Sequence, residues 1–328
     1  MIGVDADLED RAIAAYLGLA LGDALGATVE FLTPREIAHQ FAREGGVHRH
    51  IIGGGWLRLG AGEVTDDTTM ALALGEAILA EGGQVRPPAV ARAFDAWMRA
   101  KPVDIGNTVR RGILHFRRTG RPWVRPSADA GNGAAMRCLP VALTGARWSE
   151  RRLARAALAQ AWVTHRHPLA DAATVCLVLM AKDALAGLGQ EALATRAEAL
   201  VRRHPEFRWE GARLDNPSGY IVDTVKAVFA GVLAPGDFTE RLVAIVNRGG
   251  DADTTGAIAG MLLGALAGTR GLPEPCLDRL RAEIRVRCVA QARALAAADN
   301  APRGETAGVP GSVGRGLLAQ EAGSLVPG

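Results

Sequence analysis

Apolar residues recur along this chain at intervals of three and four and almost nowhere alternate with polar ones. That period predicts helices over residues 11–25, 66–80, 88–100, 105–118, 150–162, 168–186, 191–203, 220–233, 238–247, 254–267 and 275–298. Alanine, leucine and arginine dominate and suit them. Strand-like alternation of β-branched and aromatic residues is nearly absent, so the expected fold class is all-α. The segments Met70-Ala71-Leu72-Ala73-Leu74 and 258–266 are apolar on most of their circumference, which places them inside a bundle. Gly and Pro mark loops at 45–46, 53–55, 60–62, 120–126 and 217–219. None is long or polar enough to link domains, and no repeat is visible, so one domain is expected over 1–300. Beyond Asn300 the period is lost in Gly, Pro, Ser and Ala, which predicts a disordered tail over 301–328.

Both of the most apolar helices open on an acidic cluster. Thr65-Asp66-Asp67-Thr68 precedes one, and Gly250-Asp251-Ala252-Asp253-Thr254-Thr255 precedes the other. Taken alone, the first is explained by capping, since Thr is a good N-cap and first-turn acids favour the helix dipole. The second crowds two aspartates and two threonines at one terminus, more than a cap requires. It imitates the opening of an EF-hand loop, but Leu262 stands where the closing Glu belongs. Should the clusters meet, each close pair of the four aspartates repels by about 4 kcal/mol at an effective dielectric near 20. Two divalent cations would cancel the four charges, and carboxylate and hydroxyl oxygens are what hard cations prefer.

Other motifs carry less. Gly131-Asn132-Gly133-Ala134-Ala135-Met136 resembles a dinucleotide fingerprint, but its sixth position is Met136 and no strand precedes it. Phosphate binding by backbone N–H groups and plain tight packing stay equally open there. Thr164-His165-Arg166-His167-Pro168 lacks a third ligand for zinc, and a substrate-facing histidine is the better reading. Walker A, H-E-x-x-H and G-x-S-x-G sequences are absent.

Composition narrows the class. A hydrophobic fraction of 48%, a charged fraction of 22% and a net charge of +3 are ordinary for a globular protein and supply no basic stripe. With aromatics at 5% there are few stacking platforms, so nucleic acid is not an expected partner. Cys138, Cys176, Cys276 and Cys288 form no C-x-x-C pair, which reads as reduced, mostly buried thiols. Asp5, Asp7, Glu9 and Asp10 have the wrong sign for a signal peptide, and the longest apolar run, 256–268, is too short to span a bilayer. A cytoplasmic, soluble monomer is expected.

Five segments in order, 18–26 with Glu30-Phe31, Thr65-Asp66-Asp67-Thr68, Gly131 to Arg137, Thr164 to Pro168 and Gly250 to Gly256, resemble the ADP-ribosylglycohydrolase family. Gly53-Gly54-Gly55-Trp56-Leu57-Arg58-Leu59, Pro102 to Thr108 and Tyr220 to Thr224 add to the likeness, which runs from about Asp10 to Ala298. It is greatest to the branch that acts on the nitrogenase iron protein. The resemblance implies a single-domain orthogonal multi-helix bundle with two divalent cations, Mn²⁺ or Mg²⁺, that removes ADP-ribose from a modified arginine. It assigns metal binding to Thr65, Asp66, Asp67, Asp251, Asp253 and Thr254. Asp104 and Asn107 would hold the ribose, the loop of Gly131, Asn132 and Gly133 the diphosphate and Tyr220 the adenine, with Met136 and His165 also binding substrate. Glu30, Asp66, Asp104 and Asp251 would carry the chemistry, with Glu30 or Asp104 assisting proton transfer. Family behaviour adds sequestration by a PII-type signalling protein at a membrane ammonium channel. Thr69, where near relatives often carry an acid, and Arg166, in place of a small polar residue, depart from the pattern. Hydrolysis of ADP-ribosyl-serine or of other ADP-ribose derivatives, and non-catalytic ADP-ribose binding, are the competing expectations.

Overall fold

The computed structural model describes residues 6–298, so the expected tail at 301–328 lies outside the described residues. Fourteen α-helices follow one another in the described residues: α1 Ala6–Gly26, α2 Pro34–Gln40, α3 Asp66–Ala80, α4 Pro87–Arg99, α5 Asn107–Thr119, α6 Leu139–Thr144, α7 Glu150–Ala161, α8 Pro168–Leu185, α9 Gln190–Arg203, α10 Ile221–Val232, α11 Phe238–Val246, α12 Ala252–Ala267, α13 Glu274–Leu277 and α14 Ala282–Ala297. Among the described residues there are no strands, only the isolated bridges Gly54 to Leu59 and Gly131 to Tyr220. The all-α expectation holds.

Three differences from the predicted elements have local causes. Helix α2 is too short to show a period, yet its start is signalled by a capping box in which Thr33 and Glu36 bond reciprocally around Pro34. Helix α6 is likewise too short. The helix expected over 275–298 breaks into α13 and α14 because Arg281 N–H turns to the Gly62 carbonyl at 3.1 Å while Leu280 buries. That tertiary contact outweighs the local propensity.

Helices α1 and α12 form the centre. Every residue from Ala12 to Gly26 in α1 and from Ala252 to Ala265 in α12 is buried, as their uniformly apolar circumferences require. The outer helices bury one face only, as with Ala89, Val90 and Phe94 of α4 or Val109 and Ile113 of α5. Gly18, Gly22 and Gly26 of α1 face Gly260, Gly256 and Ala252 of α12, a descending order that makes the pair antiparallel. A methyl on any of these glycines of α1 would overlap a carbonyl of the opposing helix, so the two backbones touch. The seam thereby sets the C-terminal end of α1 against the N-terminus of α12.

The loop after α2 is fastened at His48. Its N–H donates to Asn247 Oδ1 at 2.8 Å, Asn247 Nδ2 returns a bond to its carbonyl at 2.8 Å, and its ring Nε2–H donates to Leu25 O at 3.0 Å. Burial pushes the imidazole down to about 4, with His50 adding to the shift. A depressed histidine contributes stability that is complete above about 6.5 and is lost as pH falls towards 4. Between pH 7 and 4.5, wild type is expected to lose about 2 kcal/mol relative to His48→Gln. Urea unfolding at the two pH values checks this, and parallel pH profiles would rule the role out.

Candidate active site

A cavity of about 300 Å³ opens where the end of α1, the N-termini of α3, α5 and α12, and the loop before α6 converge. Glu30, Asp66, Asp104, Asn107, Gly131, Asn132, Gly133, Met136, His165, Asp251, Asp253 and Thr254 all line it. The two acidic clusters therefore close on one space despite their separation in sequence. Thr65 and Asp67 lie beneath the lining: Asp67 Oδ2 accepts from Thr65 Oγ1 and from Thr254 Oγ1, each at 3.3 Å, joining the clusters directly. Tyr220 stands beside the glycine loop as the residue before α10, half exposed, with its backbone bridged to Gly131.

Each acid is placed by its helix. Thr65 caps α3, so Asp66 and Asp67 fall in its first turn, and Asp253 falls in the first turn of α12 behind Asp251. The helix dipoles favour negative charge at those positions. Helix α5 starts at Asn107 and not Ile105, which leaves Asp104 in the preceding loop facing the cavity.

So many buried acids raise one another. Burial, then Asp104 and Asp23, pushes Asp66 up to about 7, and burial chiefly pushes Asp251 up to about 6. Glu30 rises to about 8 through burial, against the lowering hydrogen bond from Trp56, with Asp251 and Asp104 adding to it. Asp67 and Asp253 are held well above the carboxylate range by burial and by their neighbours. A protein does not bury repelling carboxylates for stability alone. Two further observations fit a cation: Asp67 Oδ1 is buried without a hydrogen-bond partner, and carboxylate oxygens of Glu30, Asp251 and Asp253 lie within 4.8 Å of one another. An all-oxygen donor set of this charge suits a hard divalent ion.

The opposite wall carries the glycine loop and His165, with the single carboxylate Asp129 beside Gly131. Arg137, fully buried in the face of Phe94, donates Nη2 to Thr164 Oγ1 at 2.8 Å. Thr164 Oγ1 also pairs with His165 Nδ1 at 2.8 Å. Arginine can only donate, and Nδ1 is the one acceptor described for the Thr164 hydroxyl hydrogen; giving it that hydrogen places the proton of the neutral ring on Nε2. Burial, aided by Arg137, pushes His165 down to about 3 and keeps it neutral. Its Nε2 side abuts Gly131 and Gly133, where a methyl on Gly133 would collide with the ring. Asn132 N–H is spent on Gly219 O at 3.1 Å, and its side-chain amide bonds Thr224 and Asp251. Asn132 therefore positions a carboxylate, while Gly133 and Ala134 N–H meet no backbone acceptor among the described residues.

Several residues that shape this site carry no signal in the local sequence. Asp23 of α1 accepts from Thr65 N–H at 2.9 Å, from Thr68 N–H at 3.0 Å and from Thr68 Oγ1 at 2.5 Å, holding the start of α3 from outside. Trp56 donates Nε1–H to Glu30 Oε2 at 2.6 Å. Both lie in the segments that carried the resemblance, but no local pattern announces a contact across 26 or 42 residues. Thr69 accepts from Trp97 Nε1 at 3.0 Å, a packing bond outside the cavity lining. Arg166 lies over Trp162 and lines a neighbouring cavity of about 610 Å³, not this cleft.

Comparison with known proteins agrees with this geometry. A family model described as ADP-ribosylglycohydrolase matches residues 4–305. The chain is 46% identical over 278 residues to the ADP-ribosyl-[dinitrogen reductase] glycohydrolase of Rhodospirillum rubrum, covering 84% of this chain and 92% of that protein. It is 34% identical to the ADP-ribosylarginine hydrolase Tri1 of Pseudomonas putida, covering 86% and 77% of the two. A solved structure described as an ADP-ribosylglycohydrolase-related protein complex superposes with a TM-score of 0.77 at 35% identity, covering 88% of this chain and 98% of that one. With an all-helical fold that folds two distant acidic segments onto one cavity, and a family match from end to end of the described chain, this protein belongs to the ADP-ribosylglycohydrolase family.

Proposed function

We propose that this protein is a metal-dependent hydrolase that removes ADP-ribose from a modified arginine, with nitrogenase iron protein as its substrate. The reading rests above all on one juxtaposition: a crowded carboxylate wall facing a neutral histidine and a glycine loop across a single cleft. The relationship to the R. rubrum glycohydrolase and to the arginine-specific hydrolase of P. putida supports the substrate.

Breaking the bond between ribose and guanidine passes through an oxocarbenium-like state, so the sugar must be oriented, water activated and the leaving nitrogen stabilised. Thr65, Asp66, Asp67, Asp251, Asp253 and Thr254 would hold two divalent cations, Mn²⁺ or Mg²⁺. Bound there, such ions supply charge neutralisation, a grip on ribose hydroxyls and a lower pKa for water, towards about 7. Asp104 and Asn107, at the start of α5, would orient the ribose. His165 Nε2–H and the free Gly133 N–H would receive the diphosphate, with Met136 and Gly131 shaping its bed. Tyr220 would stack on adenine beyond it. Burial raises Glu30 to about 8 in the metal-free site, and the Trp56 indole fixes the carboxyl at which it would hold or release a proton.

Release of ADP-ribose from modified nitrogenase iron protein, with Mn²⁺ and then with a chelator, tests the reading. The expected result is turnover that falls by about 10³-fold on chelation and returns on adding Mn²⁺. Chelator-insensitive turnover, or turnover of a serine-linked substrate in preference to the arginine-linked one, would overturn it. Among the described residues no helix is long and apolar enough to cross a membrane. Reversible membrane association through a PII-type protein and an ammonium channel is proposed from the family resemblance, and co-sedimentation with both partners tests it.

A further inference from the structure

Phe31 and Trp56 are more than half exposed, at 60% and 53%, although both are large apolar rings. They stand together, with centroids 5.5 Å apart and planes tilted by 48°, at the edge of the carboxylate wall. Phe31 lines the cavity next to Glu30, and the Trp56 indole N–H is engaged by Glu30 Oε2. The polar atom of the pair is thus satisfied, and what remains exposed is aromatic face. Phe31 also holds a positive φ of 65°, a left-handed conformation that disfavours a bulky residue. Phe31 N–H to Gly250 O at 2.7 Å and Gly250 N–H to Leu32 O at 2.9 Å hold the turn there, tied to the loop that leads into α12. Core packing does not account for an exposed ring kept in a strained turn beside the acids.

We infer that Phe31 and Trp56 form an aromatic shelf that receives the guanidinium of the target arginine and makes the site selective for arginine over hydroxyl-linked ADP-ribose. The inference rests on the function proposed above and names the group recognised on the leaving side of the scissile bond. A guanidinium is a planar, weakly hydrated cation that stacks on aromatic faces, and carboxylates behind the rings add to the attraction. Serine offers no cation to such a shelf. Trp56 has a second task, since its N–H orients the carboxyl of Glu30 while its ring borders Phe31. Phe31 is therefore the cleaner probe.

The test compares Phe31→Leu, which keeps apolar bulk, with Phe31→Tyr, which keeps the ring, in Mn²⁺-loaded full-length protein. Hydrolysis of arginine-linked and serine-linked ADP-ribosyl peptides is followed side by side. Binding of free ADP-ribose, and of agmatine to the ADP-ribose-saturated protein, is measured by calorimetry. Phe31→Leu is expected to lower kcat/KM for the arginine-linked peptide by about 10-fold, chiefly through KM, and to weaken agmatine binding by about the same factor. ADP-ribose affinity should be unchanged, and Phe31→Tyr should restore the wild-type values. Unchanged arginine-linked kinetics in Phe31→Leu, or a matching loss of ADP-ribose affinity, would overturn the shelf while leaving the proposed function standing. Wild-type protein inert on the arginine-linked peptide would instead overturn both.

Discussion

Gly22→Val is expected to abolish accumulation of folded protein. The first added carbon would already sit far inside van der Waals contact with the Gly256 carbonyl oxygen, and neither partner is a side chain that can swing aside. Relief requires α1 and α12 to separate, yet both are buried along nearly their whole length. Overpacking a core commonly costs about 1–3 kcal/mol, and a clash between two backbones belongs at or above the upper end. The two further methyl carbons of valine carry the cost past that range towards the total stability of about 5–15 kcal/mol, which leaves little folded material. Asp23 is the next residue, so the same displacement would pull its carboxylate away from Thr65 and Thr68. Gly22→Ala should survive with a loss of about 3 kcal/mol. Gly189→Ala is the control, because nothing lies within 4 Å of the added methyl. Urea unfolding of the alanine variants and soluble yield of the valine variant decide the matter; two-state unfolding of Gly22→Ala at the wild-type midpoint would show that the seam is looser than described.

Asp253→Asn is expected to separate stability from activity. In metal-free protein, the carboxyl of Asp253 is pushed up by burial and by Glu30, Asp67 and Asp251, so removing its charge relieves repulsion and should raise the melting temperature near neutral pH. The same change deletes a proposed ligand. Stabilisation by Mn²⁺ should fall sharply, and hydrolysis should drop by about 10³-fold. The pH dependence has a definite sign. Asp66 and Asp251 are raised to about 7 and 6, so the stability they confer on metal-free protein is complete below about 4 and disappears as pH rises through those values. Saturating Mn²⁺ should flatten that decline in wild type and leave it in the variant. A variant that melts like wild type, gains the same stability from Mn²⁺ and retains full turnover would remove Asp253 from the site.

Much of this architecture is legible in the chain, for reasons that differ by level. Helices of ten or more residues declare themselves because burial imposes their period, which is why α3, α8 and α12 are found in place. The buried character of α3 and α12 is equally plain from stretches apolar on every side, whereas Asp23 interrupts α1 and hides its central place. Asp66, Asp67, Asp251 and Asp253 stand out because no helix needs so many acids at one end. Their meeting does not follow from any local rule: it depends on Gly18, Gly22 and Gly26 finding Gly260, Gly256 and Ala252, a pairing set by contact across the fold. Asp23 and Trp56 escaped for the same reason, since a lone acid inside an apolar helix and a lone tryptophan in a glycine turn acquire meaning only once Thr65 and Glu30 are beside them. The break before α14 is hidden too, because only the Gly62 carbonyl makes it favourable.

The relay from Arg137 through Thr164 fixes more than a hydrogen position on His165. An imidazole whose charge would appear only near pH 3 stays neutral from mild acid to mild base. An anionic ligand held there, as proposed, would meet the same ring in mild acid and in mild base, so any pH dependence of its release would come from the carboxylates.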